Sequence, residues 1–315
     1  MVSTDSMAPR IWLLAGPTAS GKSALALRIA EAFDGEIVNA DSMQIYHDLR
    51  HLTSRPTVED ELRIAHHLVG FADAADAWST GRWLRAAREV VEDIGARRRN
   101  VIVVGGTGLY FRALTQGLAQ TPNVASNIRA DAERAFAAMG EGAFRLRLAG
   151  VDPRAADRIS PGDRQRLVRA WEVFAATRRS LSDHQASSDG GLQAGTWSAL
   201  ALSPPRADVY ARCDARLEHM LAEGALAEVE ALMARNLNPS LPILKAVGVR
   251  EFAAHLRGEI SLVQAMTAAQ QETRRYAKRQ MTWMRGQMTD WPQITGATAE
   301  AQWAQFLALN PVLTP

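Results

Sequence analysis

The chain has 315 residues, 47% hydrophobic and 22% charged, enough for one large domain or two ordinary ones with a proper core. Its formal net charge of +2 is too small to argue a nucleic-acid partner by itself, and one cysteine, Cys213, excludes an internal disulfide and any multi-cysteine metal site. No apolar run approaches the ~18 residues needed to cross a membrane. Met1 to Arg10 has neither the apolar centre of a signal peptide nor the arginine-rich amphipathic pattern of a transit peptide, so a cytoplasmic protein is expected.

Ile11-Trp12-Leu13-Leu14-Ala15 predicts a buried strand. Gly16-Pro17-Thr18-Ala19-Ser20-Gly21-Lys22-Ser23 follows and fits G-x-x-x-x-G-K-[ST], a phosphate-binding loop. From Ala24 to Phe33, Leu25, Ile29 and Phe33 recur as on one face of a helix, and Gly35 offers a stop. A strand, a glycine-rich turn and a helix N-terminus leave N–H groups and the positive end of the helix dipole facing one point. There Lys22 can reach an outer phosphate and Ser23 can ligate Mg²⁺.

Glu36-Ile37-Val38-Asn39-Ala40 predicts a second strand with Asp41-Ser42-Met43-Gln44-Ile45-Tyr46 at its carboxyl end, the edge where open α/β sheets bind ligands. Thr53 to Thr57 is a turn or loop. His66-His67-Leu68-Val69 predicts a short strand whose histidines fit packing better than zinc, for which the sequence shows no partners. Ser79 to Arg98 is helical, and the arginines at 97–99 suit a helix C-terminus. Val101-Ile102-Val103-Val104 is the clearest buried strand. After it, Gly105-Gly106-Thr107-Gly108-Leu109-Tyr110 reads either as backbone that approaches a ligand or as a simple strand-to-helix turn.

Residues 116–195 carry no strong strand signal and read as helices broken at Gly140, Gly142, Pro153, Pro161 and Gly162, a helical insertion in an α/β core formed by 1–115 and 196–315. Arg164, Arg166 and Arg169 cluster there, ahead of a flexible exit at Ser187 to Gly191. Thr196 to Leu202 predicts a strand returning to the sheet, and Arg206 to Arg235 a helix with Arg212, Arg216 and His219 on one side. Lys245 to Arg250 forms a loop. From Glu272 to Met288 a helical wheel gathers Arg274, Arg275, Lys278, Arg279 and Arg285 on one side, a solvated face or a phosphate-facing stripe. The tail after Asp290 says little.

Three strand ends thus supply a phosphate cradle, a lone carboxylate and a Gly-Gly-Thr turn. They fit a small-molecule kinase or NTPase, with Asp41 on Mg²⁺ or as base, which the loop alone favours, or an enzyme that holds a diphosphate as leaving group and transfers the rest of the donor. A nucleic-acid module using the loop as a switch fits less well, because the insertion lacks a repeated aromatic stacking pattern.

The phosphate loop, the Asp41–Tyr46 run, Arg55-Pro56-Thr57, His66-His67-Leu68 and Gly105–Tyr110 occur in an order that resembles the bacterial tRNA dimethylallyltransferase (IPP transferase) family. So do Ile128-Arg129, Gln165-Arg166-Leu167-Val168-Arg169-Ala170, Val247-Gly248, and Arg274 with Tyr276-Ala277-Lys278-Arg279-Gln280. The resemblance runs from about Ile11 to Arg285, with Ser23 where threonine is commoner, Arg55 where lysine is commoner and Val249 where an aromatic is usual. It implies a P-loop NTPase-like core with a helical insertion that embraces the anticodon stem-loop. It also implies transfer of a dimethylallyl group from dimethylallyl diphosphate to N6 of the adenosine 3′ to the anticodon, in tRNAs reading codons that begin with U. Adenylate isopentenyltransferases, which use free nucleotide, are the neighbouring alternative, and the arginine-bearing insertion favours tRNA.

Carried over by motif, Gly16, Pro17, Thr18, Ala19, Ser20, Gly21, Lys22 and Ser23 hold the diphosphate, with Arg216 as a further cation and Ser23 on Mg²⁺. Asp41 is the general base, assisted by Thr18 and Lys22 at the leaving group. Asp41, Ser42, Met43, Gln44, Thr107, Arg129, Gln165, Arg166, Leu167, Val168, Arg169, Lys245, Ala246, Val247, Gly248, Val249 and Arg250 contact tRNA. A monomer is expected.

Overall fold

The computed structural model describes residues 10–119, 124–186 and 188–311. Residues 1–9, on which the reading of the leader rests, lie outside the described residues, as does Ser187 of the expected flexible exit. In chain order the first half carries β1 (Ile11–Ala15), α1 (Lys22–Ala32), β2 (Gly35–Asn39), α2 (Val58–Arg63), β3 (His66–His67), α3 (Thr80–Ala96), β4 (Asn100–Gly105), α4 (Gly108–Gln116) and β5 (Leu118–Ala119). Next come α5 (Ser126–Ala149), α6 (Pro153–Arg158), α7 (Arg164–Thr177), α8 (Leu181–Ala186), β6 (Ser188–Asp189) and β7 (Trp197–Leu202). The last part carries α9 (Arg206–Ala222), α10 (Ala225–Ala234), a 3₁₀ turn (Pro242–Lys245), α11 (Val249–Leu256), α12 (Leu262–Gln287), β8 (Gln293–Ile294) and α13 (Ala299–Leu309). These residues form two compact units, one from those up to Leu114 and from Gln193 onward, the other from Thr115–Leu192.

The first unit is built on a six-stranded sheet of order β3-β2-β4-β1-β7-β8, parallel throughout. Strands covered on both faces read as continuous apolar runs, which is why β1 and β4 are legible in the sequence. Leu13 sits between Val103 of β4 and Ala199 of β7. On one face α1 delivers Leu25, Ala26, Ile29 and Ala30 against Trp12, Leu14, Ile37, Ile102 and Leu202, and Phe306 of α13 closes the cluster. Parallel pairing brings the carboxyl ends of β1, β2, β4 and β7 to one edge, where the loops carrying Gly16–Ser23, Asp41 and Thr107 begin.

Several expectations change. The helix read over Arg206 to Arg235 is two helices, because Gly224 adopts a left-handed φ of 110° between them. Lys245 to Arg250 is not open loop: Gly248 caps α11, and Val249 is already in its buried first turn. The tail holds β8 and α13, whose contribution to the sheet and its core is too short-ranged in sequence to show as periodicity. The second unit is largely helical, with α5 interrupted at Gly140 and a core of Phe144, Leu148, Ile159, Leu167 and Val168. It also contains a two-residue antiparallel ladder, Leu118 to Asp189 and Ala119 to Ser188, so part of the predicted flexible exit is paired backbone. Two residues are too few for a strand period to register.

At the opposite end of β2, Glu36 is 1% exposed and accepts bonds from Arg97 on both oxygens, from Arg99 (3.1 Å) and from His67 (2.6 Å). Bonding from Arg97 holds its pKa down to about 2 against the opposing effect of burial. This settles one histidine as packing around a buried carboxylate. Because the folded pKa lies below the ordinary 4.5, the cluster's stabilisation is complete above pH 4.5 and is lost as pH falls towards 2. Glu36→Gln should therefore lower the unfolding free energy at pH 7 by on the order of 2 kcal/mol and flatten the acid limb. Urea unfolding of both proteins at pH 7 and between pH 4.5 and 2 measures this; an unchanged acid limb would show that the cluster does not stabilise the fold.

Candidate active site

The phosphate loop leaves β1 and enters α1 through Gly21, which holds a left-handed φ of 96° and has no side chain with which to cap the helix N-terminus. The first-turn N–H groups of α1 thus have no side-chain acceptor, the arrangement that binds anions. Protein donors occupy three loop carbonyls instead. Lys22 Nζ donates to Pro17 (3.2 Å), Arg212 Nε to Ala19 (2.8 Å) and Gln302 Nε2 to Ser20 (2.9 Å). Arg216, one turn beyond Arg212 on α9, donates to the Thr18 hydroxyl. Ser20 Oγ and Arg212 Nη2 are buried without a hydrogen-bond partner, an unusual state for polar atoms in a core.

Burial pushes the Lys22 ammonium down to about 8, with Asp41 opposing and Arg216 reinforcing that fall. Burial likewise lowers the pKa of Arg216, again opposed by Asp41. Two half-buried cations therefore feel the same carboxylate.

Asp41 stands two residues past the end of the β2 ladder. Buried Asn39 fixes it from both sides, accepting the Asp41 N–H (2.9 Å) and donating to the Asp41 carbonyl (3.0 Å) and to that of Leu68 (3.0 Å). The Asp41 carboxylate accepts the Met43 N–H (2.9 Å), which closes a tight turn. Thr107 accepts the Ser42 N–H (3.0 Å) on its hydroxyl and donates its own N–H to the Ala40 carbonyl (3.1 Å). That approach requires glycine at 105, where a Cβ would lie 2.1 Å from the Ala40 carbonyl oxygen. Farther along, Gln44 donates to the carbonyls of Thr53 (3.0 Å) and Ser54 (2.7 Å). The phenols of Tyr110 and Tyr276 are raised in pKa, first by burial and next by Asp41, so both belong to the carboxylate's surroundings.

The expected RNA-contacting residues divide by burial. Ser42, Met43, Gln44 and Thr107 are partly exposed beside Asp41, and Lys245 and Arg250 are exposed. Val247 is half-buried, while Ala246, Gly248 and Val249 are buried, so the last three have no side chain to offer. In the second unit Arg129, Gln165 and Arg166 are exposed, and Arg169 is half-buried. Arg129 (3.6 Å) and Arg169 (3.2 Å) share the buried carboxylate of Glu172, and Arg166 lies 3.3 Å from Asp163. Leu167 and Val168, expected at an RNA surface, are 0% and 1% exposed: the apolar side of α7 faces the unit's own core. The basic stripe on α12 also changes character. Arg274 is bonded to both oxygens of Asp214 on α9, an acid outside any wheel of α12, and Arg275 is bonded to Glu272, at the start of the wheel itself.

Sequence reasoning gave no role to Asn39, Arg212, Gln280 and Gln302, whose side-chain bonds hold the loops at this edge. Gln302 lies in a tail without a recognisable pattern. Gln280 lies inside the Tyr276–Gln280 run, where its burial on the apolar side of a helix was the available signal. Among the described residues no group of three or more His, Cys, Asp or Glu side chains could hold a metal ion.

Known sequences and structures are similar to this chain. A sequence model described as IPP transferase matches residues 44–287, and one described as isopentenyl transferase matches residues 9–68. A tRNA dimethylallyltransferase of Phenylobacterium zucineum is 67% identical over 98% of this chain and 100% of its own, and one of Caulobacter sp. 59% identical over 90% and 92%. A eukaryotic dimethylallyltransferase acting on tRNA superposes with a TM-score of 0.81 at 25% identity, covering 96% of this chain and 78% of its own. The tRNA isopentenylpyrophosphate transferase of Bacillus halodurans superposes with a TM-score of 0.68 at 26% identity over 96% of both chains. With a family model spanning most of its length, the chain belongs to the IPP transferase family.

Proposed function

We propose that the loop Gly16–Ser23, with Arg216, holds the diphosphate of dimethylallyl diphosphate, and that Asp41 is the general base on N6 of a tRNA adenosine. The relatives that match the chain over nearly its whole length are named for dimethylallyl transfer to tRNA, and the chain is a transferase of that activity. The observation that supports the residue assignment is that Lys22 and Arg216 both feel the charge of Asp41 at one sheet edge, the grouping that a leaving-group site beside a base requires.

The chemistry follows. The amino nitrogen of adenine is a weak nucleophile because its lone pair is delocalised into the ring. As N6 forms its bond to the allylic carbon, the carbon–oxygen bond to diphosphate breaks and its electron pair leaves with the diphosphate. The N6 proton passes to the Asp41 carboxylate. Lys22, Arg216 and the α1 N-terminus stabilise the charge that develops on the leaving group. Diphosphate-using enzymes of this kind generally need a divalent ion, and we assign Mg²⁺. The protein's donor set fits: Ser23 is exposed at the loop's end, and such an ion is held mainly by phosphate oxygens and water. When bound it neutralises further charge on the diphosphate.

The adenine must leave its stack to reach Asp41, so binding relies on loop bases and backbone contacts. For these we assign Ser42, Met43, Gln44, Thr107, Lys245, Val247 and Arg250 in the first unit. In the second, a tRNA-contacting insertion domain, we assign Arg129, Gln165, Arg166 and Arg169.

Asp41→Asn keeps the shape of the site and removes the base, so turnover should fall by about 10²–10⁴-fold. Donor binding in the presence of Mg²⁺ should survive. Calorimetric titration with donor, beside a single-turnover assay on tRNA, separates the outcomes: near-normal turnover removes Asp41 from the base role, and lost donor binding assigns it to the metal.

Lys22→Ala should cost on the order of 2–4 kcal/mol in the transition state while tRNA affinity stays nearly intact. Since Lys22 titrates near 8, donor affinity should fall as pH rises above that value, by up to about tenfold per unit. Lys22→Arg should remove that pH dependence, because guanidinium stays charged. A large fall in tRNA affinity with unchanged donor kinetics contradicts the loop assignment.

Arg166→Ala combined with Arg169→Ala should weaken tRNA binding and reduce its salt slope by about one or two, without touching donor binding. Filter binding across a salt series measures this, and an unchanged slope makes the cluster a solvated surface.

A further inference from the structure

Gln280 is a buried amide on α12 with both ends committed. Its Oε1 accepts the Thr18 N–H at 2.8 Å, and its Nε2 donates to the Gly106 carbonyl at 2.9 Å. Those two backbone groups belong to different loops, the phosphate loop after β1 and the turn after β4. A Cβ at 106 would lie 2.2 Å from Gln280 Nε2, so glycine there makes room for this amide. The Gly-Gly-Thr turn is thus shaped by α12 on one side and by the Ala40 backbone on the other.

The next residue extends the connection. Thr107 accepts the Ser42 N–H at 3.0 Å, and Ser42 follows Asp41 directly. Thr18, at the other end, carries Arg216 on its hydroxyl. A continuous chain of bonds therefore runs from the loop, through Gln280, to the turn and on to the segment bearing the carboxylate. All of it lies within the first unit.

We propose that Gln280 is a positioning residue for the transfer reaction: its amide fastens the donor loop to the turn that holds the acceptor segment, and so fixes the separation of the leaving diphosphate from Asp41. The inference rests on the assignment of the loop to diphosphate and of Asp41 to the base. Gln280 contacts neither substrate in this role. It acts through Thr18 and Thr107, on the alignment that a bimolecular transfer needs, where a displacement of about 1 Å costs on the order of 10²-fold in rate.

The test uses Gln280→Met, which keeps the volume and loses both bonds, and Gln280→Asn, which keeps the amide but is one methylene too short to span the two loops. With donor and tRNA saturating, the single-turnover rate of each should fall on the order of 10²-fold, while either substrate's dissociation constant stays within about threefold. Thr107→Val breaks the same chain at its next link. Combined with Gln280→Met it should lose at least about tenfold less than the product of the two single losses, because the second cut finds the connection already broken. Multiplying losses, an unchanged rate, or weakened binding at an unchanged rate would overturn the proposal. If Gln280→Met does not fold, Gln280→Asn carries the same comparison. Asp41→Asn run alongside separates the two readings: full turnover by that variant removes the base assignment, whereas its collapse beside fully active Gln280 variants removes this inference alone.

Discussion

Lys22 and Arg216 are half-buried beside the loop that follows β1, and desolvation acts against the charge of both. A buried cation is stable only beside compensating negative charge or dipoles. Asp41 supplies part of that compensation. In the proposed reaction a diphosphate against the N-terminus of α1 would supply more, and most strongly as the allylic bond breaks and charge gathers on the departing oxygens. The same surroundings that make the cations costly would make their interaction with a leaving group strong. In this reading the rest of the site keeps those charges in register.

That register is set by backbone held in side-chain hands. Arg212 and Gln302 fasten loop carbonyls, Gln280 fastens a loop N–H, Asn39 fastens Asp41, and Thr107 fastens Ser42. These residues come from α9, α13, α12, β2 and the turn after β4. A parallel sheet allows this because it delivers the carboxyl ends of non-consecutive strands to one edge, and helices returning over the sheet place polar side chains there. Sites supported by packed elements hold their geometry better than sites on free loops.

How much of this is legible beforehand depends on the range of the interaction. The phosphate loop, β1, β2, β4 and β7 are local patterns, and their sequence signals coincide with the structure to within a residue or two. Asp41 is legible because its strand is. Gln280 and Gln302 act on residues 262 and 282 positions away, and no local pattern encodes such a partner. Burial is the other obscured quantity. Leu167, Val168 and Val249 sit inside motifs that resemble RNA contacts, yet helical periodicity turns them into cores. The stripe from Arg274 to Arg285 looked unpaired for the same reason, since Asp214 lies on another helix.

In the proposed reaction the phosphate loop holds a leaving group and the transferred piece is the allyl chain, not a phosphoryl group. The most direct measurement supplies the protein and Mg²⁺ with unmodified tRNA bearing ¹⁵N at adenine N6, together with dimethylallyl diphosphate or, separately, ATP. Mass spectrometry of the digested nucleosides then locates the new bond. An adenosine heavier by one dimethylallyl group attached through the labelled nitrogen, formed with the diphosphate donor and not with ATP, is the predicted result. A phosphorylated product from ATP, or no modified nucleoside with the diphosphate donor, would contradict the account.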